Sequence, residues 1–177
     1  MNYKVADAEN LPFEDQSFDA VVSTFGVMFT PNQKQSAAEL QRVVKSGGKI
    51  GMANWTPESF IGQIFKTIGQ HVPPPAGVNS PAVWGSREWV EEIFGTLGDV
   101  ASFQRKNFVF RYRSAEHFLD YFRTFYGPMQ KAFDALDEAG QAALRSDILA
   151  LVEVFDTSTN GALSISSEYV EVIIKRH

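Results

Sequence analysis

Two internal histidines and one early carboxylate are the side chains whose types could do chemistry in this sequence. His71 and His117 are acid–base candidates because imidazole titrates near neutral pH, although a surface or hydrogen-bonded histidine is the simpler interpretation of each. Asp7 follows a short strand candidate, where an ionised carboxylate only accepts hydrogen bonds, but it could equally be a turn residue. The sequence contains no cysteine, which excludes thiolate chemistry, and we expect no metal.

The composition limits the partners that such side chains could serve. The chain has 177 residues, of which 44% are hydrophobic and 21% charged, and this balance is typical of a folded domain. The net charge of −5 argues against nucleic-acid binding, which would need a basic surface. No apolar run reaches the roughly 18 residues of a membrane span, and the N-terminus lacks a signal-peptide pattern. We therefore expect a cytoplasmic protein with a small-molecule substrate and no membrane or nucleic-acid partner.

The first 55 residues predict alternating strands and helices. Residues 3–6 form a short strand candidate, and the apolar run 17–24 predicts a second strand. A helix is expected to begin near Pro31 and to end at the glycines of 46–48, and residues 49–55 predict the next strand. Strand, helix and strand over this length indicate a right-handed crossover with parallel strands.

The middle of the chain changes character. Apolar spacing predicts a helix over residues 58–72, and a proline-rich loop follows it. Ser86 is placed to cap a further helix that would end at Gly98. Alternating aromatic and polar residues over 103–113 predict a half-exposed strand.

The last third predicts helices and one long strand. Ser114 is expected to cap an aromatic-rich helix, and two more helices follow before a polar turn at 156–161. Residues 162–175 predict the final strand. Its apolar residues change face along the way, which predicts a bulge or bend between Ser166 and Tyr169.

Three motifs in order carry a resemblance to a known family. They are DAENLPF at residues 7–13, SFDAVV at 17–22 and LQRVVKSGG at 40–48. Together they resemble the Rossmann-like, S-adenosylmethionine-dependent methyltransferases, in the small-molecule branch similar to quinone-biosynthesis methyltransferases. The resemblance is specific over residues 3–55 and rests on topology alone beyond them. It implies an α/β fold: the C-terminal part of a doubly wound sheet, with parallel strands, a terminal antiparallel pair and helices inserted between the last two strands.

The resemblance also implies where the cofactor, S-adenosylmethionine, would bind. The carboxylate at Asp7 would accept from the adenine amine, and the N–H of Ala8 would read an adenine ring nitrogen. The strand end at 24–26 would lie beside the methionine portion, with Gly26 allowing close approach of the backbone. Phe25, Met28 and Phe29 could equally be core residues. The implied cofactor residues are Asp7, Ala8, Glu9, Thr24, Phe25, Gly26 and Phe29.

Aromatic residues further along the chain suggest a substrate pocket. Helices inserted near the last strands often roof the pocket in relatives, and apolar rings suit a small organic substrate. The same spacing is also that of an ordinary core-packing helix. The candidates are Trp55, Phe118, Phe122 and Tyr126, and no residue can be assigned as the catalytic base.

One feature of the family is missing from this sequence. The glycine-rich loop after the first strand, which holds the carboxypropyl group, is absent, as is the acidic residue that holds the ribose. We therefore interpret residues 1–177 as one truncated methyltransferase domain: 1–55 cofactor-side core, 56–113 helices and penultimate strand, 114–160 helical insertion, 161–177 last strand. Cofactor binding by this chain is in doubt, and we expect the chain alone to be inactive as a methyltransferase.

Two other functions and a partner follow from this truncation. The chain could be a non-catalytic dimeric remnant or small-molecule-binding module, or, less consistently with its motifs, an unrelated doubly wound enzyme. In the family the first and second strands lie between the third and fourth, so their loss exposes the edge of strand 17–24. We expect a homodimer, formed through this edge or through a swapped N-terminal segment.

Overall fold

A computed structural model describes residues 2–177, which form an α/β fold around one four-stranded sheet. The sheet has the order β1-β2-β4-β3. Two short 3₁₀ turns lie at Val27–Phe29 and Pro81–Gly85. The strands are β1 (Phe18–Thr24), β2 (Val44–Trp55), β3 (Gly98–Tyr112) and β4 (Leu163–Arg176). The helices are α1 (Gln33–Val43), α2 (Phe60–His71), α3 (Arg87–Phe94), α4 (Ala115–Phe125), α5 (Gly127–Asp134) and α6 (Glu138–Phe155).

The predicted crossover is confirmed at the start of the sheet. β1 pairs with β2 in parallel, α1 connects them, and β2 pairs antiparallel with β4. Gly47 and Gly48 allow the chain to turn into β2: Gly47 has a φ of 77°, and a Cβ on Gly48 would approach the carbonyl oxygen of Asp19 to 2.8 Å. β2 therefore begins directly after α1, five residues earlier than its sequence pattern predicts.

The first strand prediction is wrong, because residues 3–6 form no strand. Tyr3 is 88% exposed, and Val5 is fully exposed. A strand is stable only beside a neighbour, and β1, at the edge of the sheet, pairs with β2 alone in the described part of the chain. Residues 3–6 consequently form no sheet hydrogen bonds.

Contacts divide the chain into two compact units. The first unit comprises residues 1–56, 81–106 and 169–177, of which the structure describes all but residue 1. Its apolar core lies on the sheet, with α1, α3 and the turn at 81–85 contributing. Its largest fully buried side chains are Trp84, Phe94, Met28 and Ile50. Ser86 caps α3 as predicted, although α3 ends at Phe94 and Gly98 instead begins β3.

The second unit comprises residues 57–80 and 107–168 and is mostly helical. Ser59, Ser114 and Asp137 each accept a hydrogen bond from the third residue after them, so side chains fix the starts of α2, α4 and α6. No helix among residues 2–177 combines the length and apolarity needed to cross a bilayer. The large, fully buried side chains of this unit are Phe60, Ile61, Ile64, Phe118, Leu119, Met129, Phe133 and Leu144.

The predicted change of face in the last strand is confirmed. In the first part of β4 the buried side chains are Leu163, Ile165 and Ser167, whereas in its last part they are Val170, Val172 and Ile174. The switch falls between residues 167 and 170, where the paired register with β2 begins at Tyr169. The first part of β4 therefore buries Leu163 and Ile165 in the second unit, and the last part buries Val170, Val172 and Ile174 in the first.

Candidate functional site

The loop carrying the first motif is fixed to α1 by two charged side chains. The backbone N–H of Leu11 donates to Glu39 Oε2 at 2.7 Å. Arg42 donates to the carbonyl oxygens of Leu11 and Phe13 and forms an ion pair with Asp15 at 2.8 Å. Arg42 also donates to both carboxylate oxygens of Glu39, at 2.7 and 2.8 Å. Loop 7–16 is thus positioned by charge-assisted hydrogen bonds.

Glu39 and Arg42, which together hold loop 7–16, form a clamp, and their mutual interaction favours the charged state of both side chains. The hydrogen bond from Arg42 is the main cause that lowers the pKa of Glu39, against the opposing effect of burial. Glu39 and Asp15 together raise the pKa of Arg42 above its already high value. Glu39 and Arg42 were not predicted from the sequence to have a role, although Arg42 lies within the third motif and Glu39 immediately precedes that motif. A charged pair three residues apart on a helix was the available signal.

The two carboxylates of the first motif shape the loop around Ala8. Asp7 accepts the N–H of Glu9 at 2.9 Å through Oδ1 and the N–H of Asn10 at 3.1 Å through its carbonyl. Glu9 Oε1 accepts the N–H of Asn32, the residue that caps α1, at 2.7 Å. Asp7 is exposed and Ala8 half-buried. The Asp7 carboxylate is therefore oriented by the loop yet accessible, which is compatible with its predicted role as an acceptor.

The end of β1 carries an uncommon backbone conformation. Phe25 has a φ of 50°, in the left-handed region, and its N–H donates to the carbonyl of Ala53 at 2.9 Å. Gly26 has a φ of −111°, and a Cβ there would meet Ser23 Oγ at an ordinary 3.4 Å. The turn therefore uses Phe25 for its left-handed residue, and nothing within this chain requires Gly26 to be glycine. Strained conformations of this kind cluster at functional sites.

The residues after the turn divide between core and surface. Met28 is fully buried, which confirms its interpretation as a core residue. Phe29 is 37% exposed, so it is not a core residue. Thr24, at the last position of β1, is also exposed. Thr24 and Phe29 keep their prediction as cofactor residues.

Three aromatic rings stack at the end of β2 in the first unit. The rings of Phe25 and Trp55 are 4.3 Å apart and nearly parallel, and Tyr169 meets both edge-on. Trp55 is 7% exposed. A predicted cofactor residue, Phe25, thus contacts a predicted substrate-pocket residue, Trp55. Tyr169 contacts both and was not predicted from the sequence. Stacking of this quality holds the Phe25 turn in place.

An apolar concavity of about 470 Å³ lies beside β1 in the first unit. This volume is within the usual range of small-molecule sites, roughly 300–1,000 Å³. Two predicted cofactor residues, Ala8 and Gly26, line it, and Asp7, Glu9 and Phe25 are their neighbours in sequence. The remaining lining residues are Leu11, Phe13, Phe18, Ala20, Val21, Val22, Ser23, Val27, Leu40 and Val43.

The other predicted pocket residues lie together in the second unit. Phe118 and Phe122 are buried, with ring centroids 4.2 Å apart, and Phe122 meets Tyr126 at 5.0 Å. Burial raises the pKa of Tyr126 above the ordinary tyrosine value. Phe118 also contacts the rings of Phe60 and Tyr112. The three residues are therefore part of a packed aromatic cluster, and their role toward a substrate stays a prediction.

Both histidine candidates have hydrogen-bond partners within the chain. His71 Nε2 lies 2.7 Å from Asp147 Oδ2, and His117 Nδ1 accepts the backbone N–H of Arg113 at 3.3 Å. The simpler interpretation of each, a satisfied histidine, is confirmed. Within residues 2–177, no group of three or more His, Asp or Glu side chains is placed to hold a metal ion.

Comparison with known proteins adds a family assignment. Residues 1–52 match the family described as the methyltransferase domain. An uncharacterized protein of Mycobacterium tuberculosis is 38% identical over 149 residues, covering 83% of this chain and 54% of that protein. The demethylmenaquinone methyltransferase of Deinococcus radiodurans is 34% identical over 79 residues, covering 44% of this chain and 33% of that enzyme. The chain spans about half the length of the mycobacterial relative.

Solved structures agree on the fold. A Bacillus halodurans protein provisionally assigned as a methyltransferase superposes with a TM-score of 0.59 at 17% identity, covering 98% of this chain and 76% of its own. The [4+2]-cyclase SpnF superposes with a TM-score of 0.54 at 15% identity, covering 98% of this chain and 56% of its own. The order and direction of the strands, together with these neighbours, define a Rossmann-like α/β fold. Residues 1–52 match this methyltransferase domain family over the stretch that holds all three motifs, which supports the resemblance to S-adenosylmethionine-dependent methyltransferases.

Proposed function

We propose that this chain supplies the adenine side of an S-adenosylmethionine site and serves methyl transfer to a small organic molecule. The observation that carries the proposal is the concavity beside β1, where Ala8 and Gly26 meet on one apolar surface. Its size and lining suit an adenine ring, and Asp7 offers an accessible acceptor at the adjoining loop. The relative named as a demethylmenaquinone methyltransferase supports an organic acceptor.

The chain's residues fit one part of this cofactor only. The sequence has no glycine-rich strand-to-helix turn for the carboxypropyl end and no acidic strand end for the ribose, so those contacts must come from outside residues 1–177. The bound cofactor supplies an activated methyl group, whose transfer depends mainly on alignment with the acceptor. Loop 7–16 and the Phe25–Trp55 stack provide rigid walls for such alignment.

Calorimetric titration with two related nucleosides tests this partial fit. We expect 5′-methylthioadenosine and S-adenosylhomocysteine to bind this chain equally, with dissociation constants on the order of 1 mM, because only the adenine that they share is recognised. Ala8→Phe should abolish both signals by filling the concavity, whereas Ala143→Phe, on the exposed face of α6, should leave them unchanged. At least tenfold tighter binding of S-adenosylhomocysteine, or no binding of either, would contradict the proposal.

The alternative, a non-catalytic dimeric binding module, is favoured by the exposed edge of β1. Val22 on this strand is 79% exposed, and β1 has only β2 beside it in the described chain. A two-fold pairing of two β1 strands about Val21 would set Asp19 opposite Ser23, so no like charges would face each other. We propose that a second copy of the chain covers this edge.

Light scattering after size exclusion tests the partner. We expect a dimer for the natural chain and for Val154→Lys, since Val154 is 78% exposed on a helix, and a monomer for Val22→Lys. If deletion of residues 2–6 produces the monomer while Val22→Lys does not, the N-terminal segment is swapped instead. A natural chain that is monomeric at roughly 10 µM contradicts both arrangements.

A further inference from the structure

We propose that the second unit contains an anion-binding site of its own, between the end of β3 and the turn that precedes β4. A cleft of about 790 Å³ lies there, lined by residues of this unit alone. Its lining combines two arginines, one histidine and several hydroxyl and amide groups and includes none of the 21 acidic residues of the chain. In a protein of net charge −5, a cleft of positive charge is a specific feature and not a general property of the surface.

The two arginines lie at the end of β3. Arg111 is the penultimate residue of the strand and Arg113 follows the strand directly, and both line the cleft. Tyr112, between them, also lines the cleft and contacts the aromatic cluster. Both arginines are exposed, and neither guanidinium has an ion-pair partner within 4 Å in the described part of the chain. Arg123 and Arg145, in contrast, are engaged by Gln141 and Glu116. The donors of Arg111 and Arg113 are therefore available to a ligand.

His117 adds an oriented donor to the same cleft. Its Nδ1 accepts the backbone N–H of Arg113 at 3.3 Å, so the neutral ring carries its proton on Nε2. The ring also meets Tyr112 edge-on at 5.5 Å. The neighbouring carboxylate of Glu116 is bound to Arg145. A ring held on two sides can donate from Nε2 without a large loss of side-chain entropy.

The opposite wall is a tightly hydrogen-bonded polar turn. Asp156 accepts the N–H groups of Ser158 and Ser164, both at 2.9 Å, through one carboxylate oxygen. Ser158 donates its hydroxyl to Asn160 Oδ1 at 2.9 Å and accepts the backbone N–H of Asn160 at 3.4 Å, so the side-chain NH2 group of Asn160 is the donor that this pair offers to the cleft. The acidic residues next in sequence to the lining of the cleft are Glu116 and Asp156. In the described part of the chain, neither forms an ion pair with Arg111 or Arg113. The turn therefore contributes neutral hydrogen-bonding groups to a site whose net charge stays positive.

The chemistry and size of the cleft define the class of ligand. Paired guanidinium groups bind oxyanions, either carboxylate or phosphate, through charge-assisted hydrogen bonds. The volume of about 790 Å³ far exceeds a lone phosphate ion and falls in the range of organic ligands. The ligand is thus a small organic molecule that carries a carboxylate or phosphate group. This site involves no residue of the nucleoside proposal, so the two stand or fall separately.

Titration of the full chain with three probes tests the site. Inorganic phosphate, phenyl phosphate and benzoate are each followed by calorimetry at low salt. We expect phenyl phosphate or benzoate to bind at least tenfold more tightly than inorganic phosphate, because the ring gains apolar contacts with Tyr112, Ala162 and Leu163, which also line the cleft. Comparison of phenyl phosphate with benzoate then identifies the anionic group that the arginines prefer.

Single substitutions separate a site from general attraction of anions. Arg111→Gln and Arg113→Gln should each weaken binding of the organic anions about tenfold or more. Arg105→Gln removes the same charge from a position of β3 that lies outside the cleft and should have little effect. The proposal is overturned if no probe binds at about 10 mM, or if Arg105→Gln weakens binding as much as the cleft substitutions.

Discussion

Different interactions stabilise the interior of each of the two units. In the first unit, loop 7–16 is fixed by the Glu39–Arg42 clamp and its hydrogen bonds to backbone carbonyls. In the second unit, rings of α4 pack against Phe60, Phe110 and Tyr112 with almost no polar contribution. Charge-assisted hydrogen bonds depend on the protonation of the two groups, whereas the burial of apolar rings does not.

This contrast assigns each region a different sensitivity. Acid or a change of charge should loosen the loop that carries Asp7 and Ala8 while leaving the aromatic cluster intact. Loss of one buried ring should destabilise the aromatic cluster and leave the charged clamp formed. The candidate cofactor loop is thus the more easily perturbed of the two, as is usual for loops that bind ligands.

Removal of a central ring should have the largest effect. Phe118 is fully buried and contacts Phe60, Tyr112 and Phe122. We expect Phe118→Ala to lower the free energy of unfolding by about 3–5 kcal/mol, because it removes a buried ring and leaves a cavity. Urea denaturation followed by circular dichroism measures the change.

A surface ring on the same helix is the matched control. Phe125 is 70% exposed, so Phe125→Ala should cost less than about 1 kcal/mol. Equal losses for the two variants would show that the aromatic cluster does not carry the stability of the second unit.

Neutralising the clamp should have an intermediate and local effect. Glu39→Gln replaces the carboxylate that accepts from Leu11 and Arg42, and we expect a loss of about 1–3 kcal/mol at neutral pH. Hydrogen exchange should report faster exchange of the Leu11 amide, with the amides of α4 unchanged. Glu92→Gln, the same change at an exposed position of α3, should leave the Leu11 amide protected.

Glu39→Gln also tests how the contribution of Glu39 to the free energy of unfolding depends on pH. Because the pKa of Glu39 is lowered in the folded chain, its contribution to stability is present above the ordinary glutamate pKa of about 4.3. That contribution is lost as the pH falls through the lowered value. The difference between the natural chain and Glu39→Gln should therefore shrink on acidification. A difference that grows at low pH would refute the clamp.

Helix caps should contribute equally in the two units and give the smallest effect. Ser86 and Ser114 accept hydrogen bonds at 3.1 Å from Trp89 and His117, at the starts of α3 and α4. Ser86→Ala and Ser114→Ala should each cost about 1 kcal/mol in thermal or urea unfolding. Aspartate at either position should restore stability. A cap that matters in one unit only would mean that tertiary packing, and not local capping, fixes that helix.

Local signals in the sequence predicted most elements correctly. The caps at Ser86 and Ser114 and the changed face of β4 all depend on residues close together in the chain, so pattern and propensity suffice. The strand expected at residues 3–6 failed because a strand needs a neighbour, and neighbours are not a local property. The left-handed φ of Phe25 was missed for the same reason, since Trp55 and Tyr169 hold it.

The candidate site divides along the same line. The sequence by itself carried the family resemblance, the order of β1, α1 and β2, and the motif that contains Asp7 and Ala8. Only the tertiary structure decided that Glu39 and Arg42 fix this motif, because their partners lie up to 31 residues away in sequence. It likewise brought Arg111 and Arg113 beside His117 and a turn that begins more than 40 residues later. Periodicity records which face a residue occupies, whereas contacts between distant segments depend on how those faces pack.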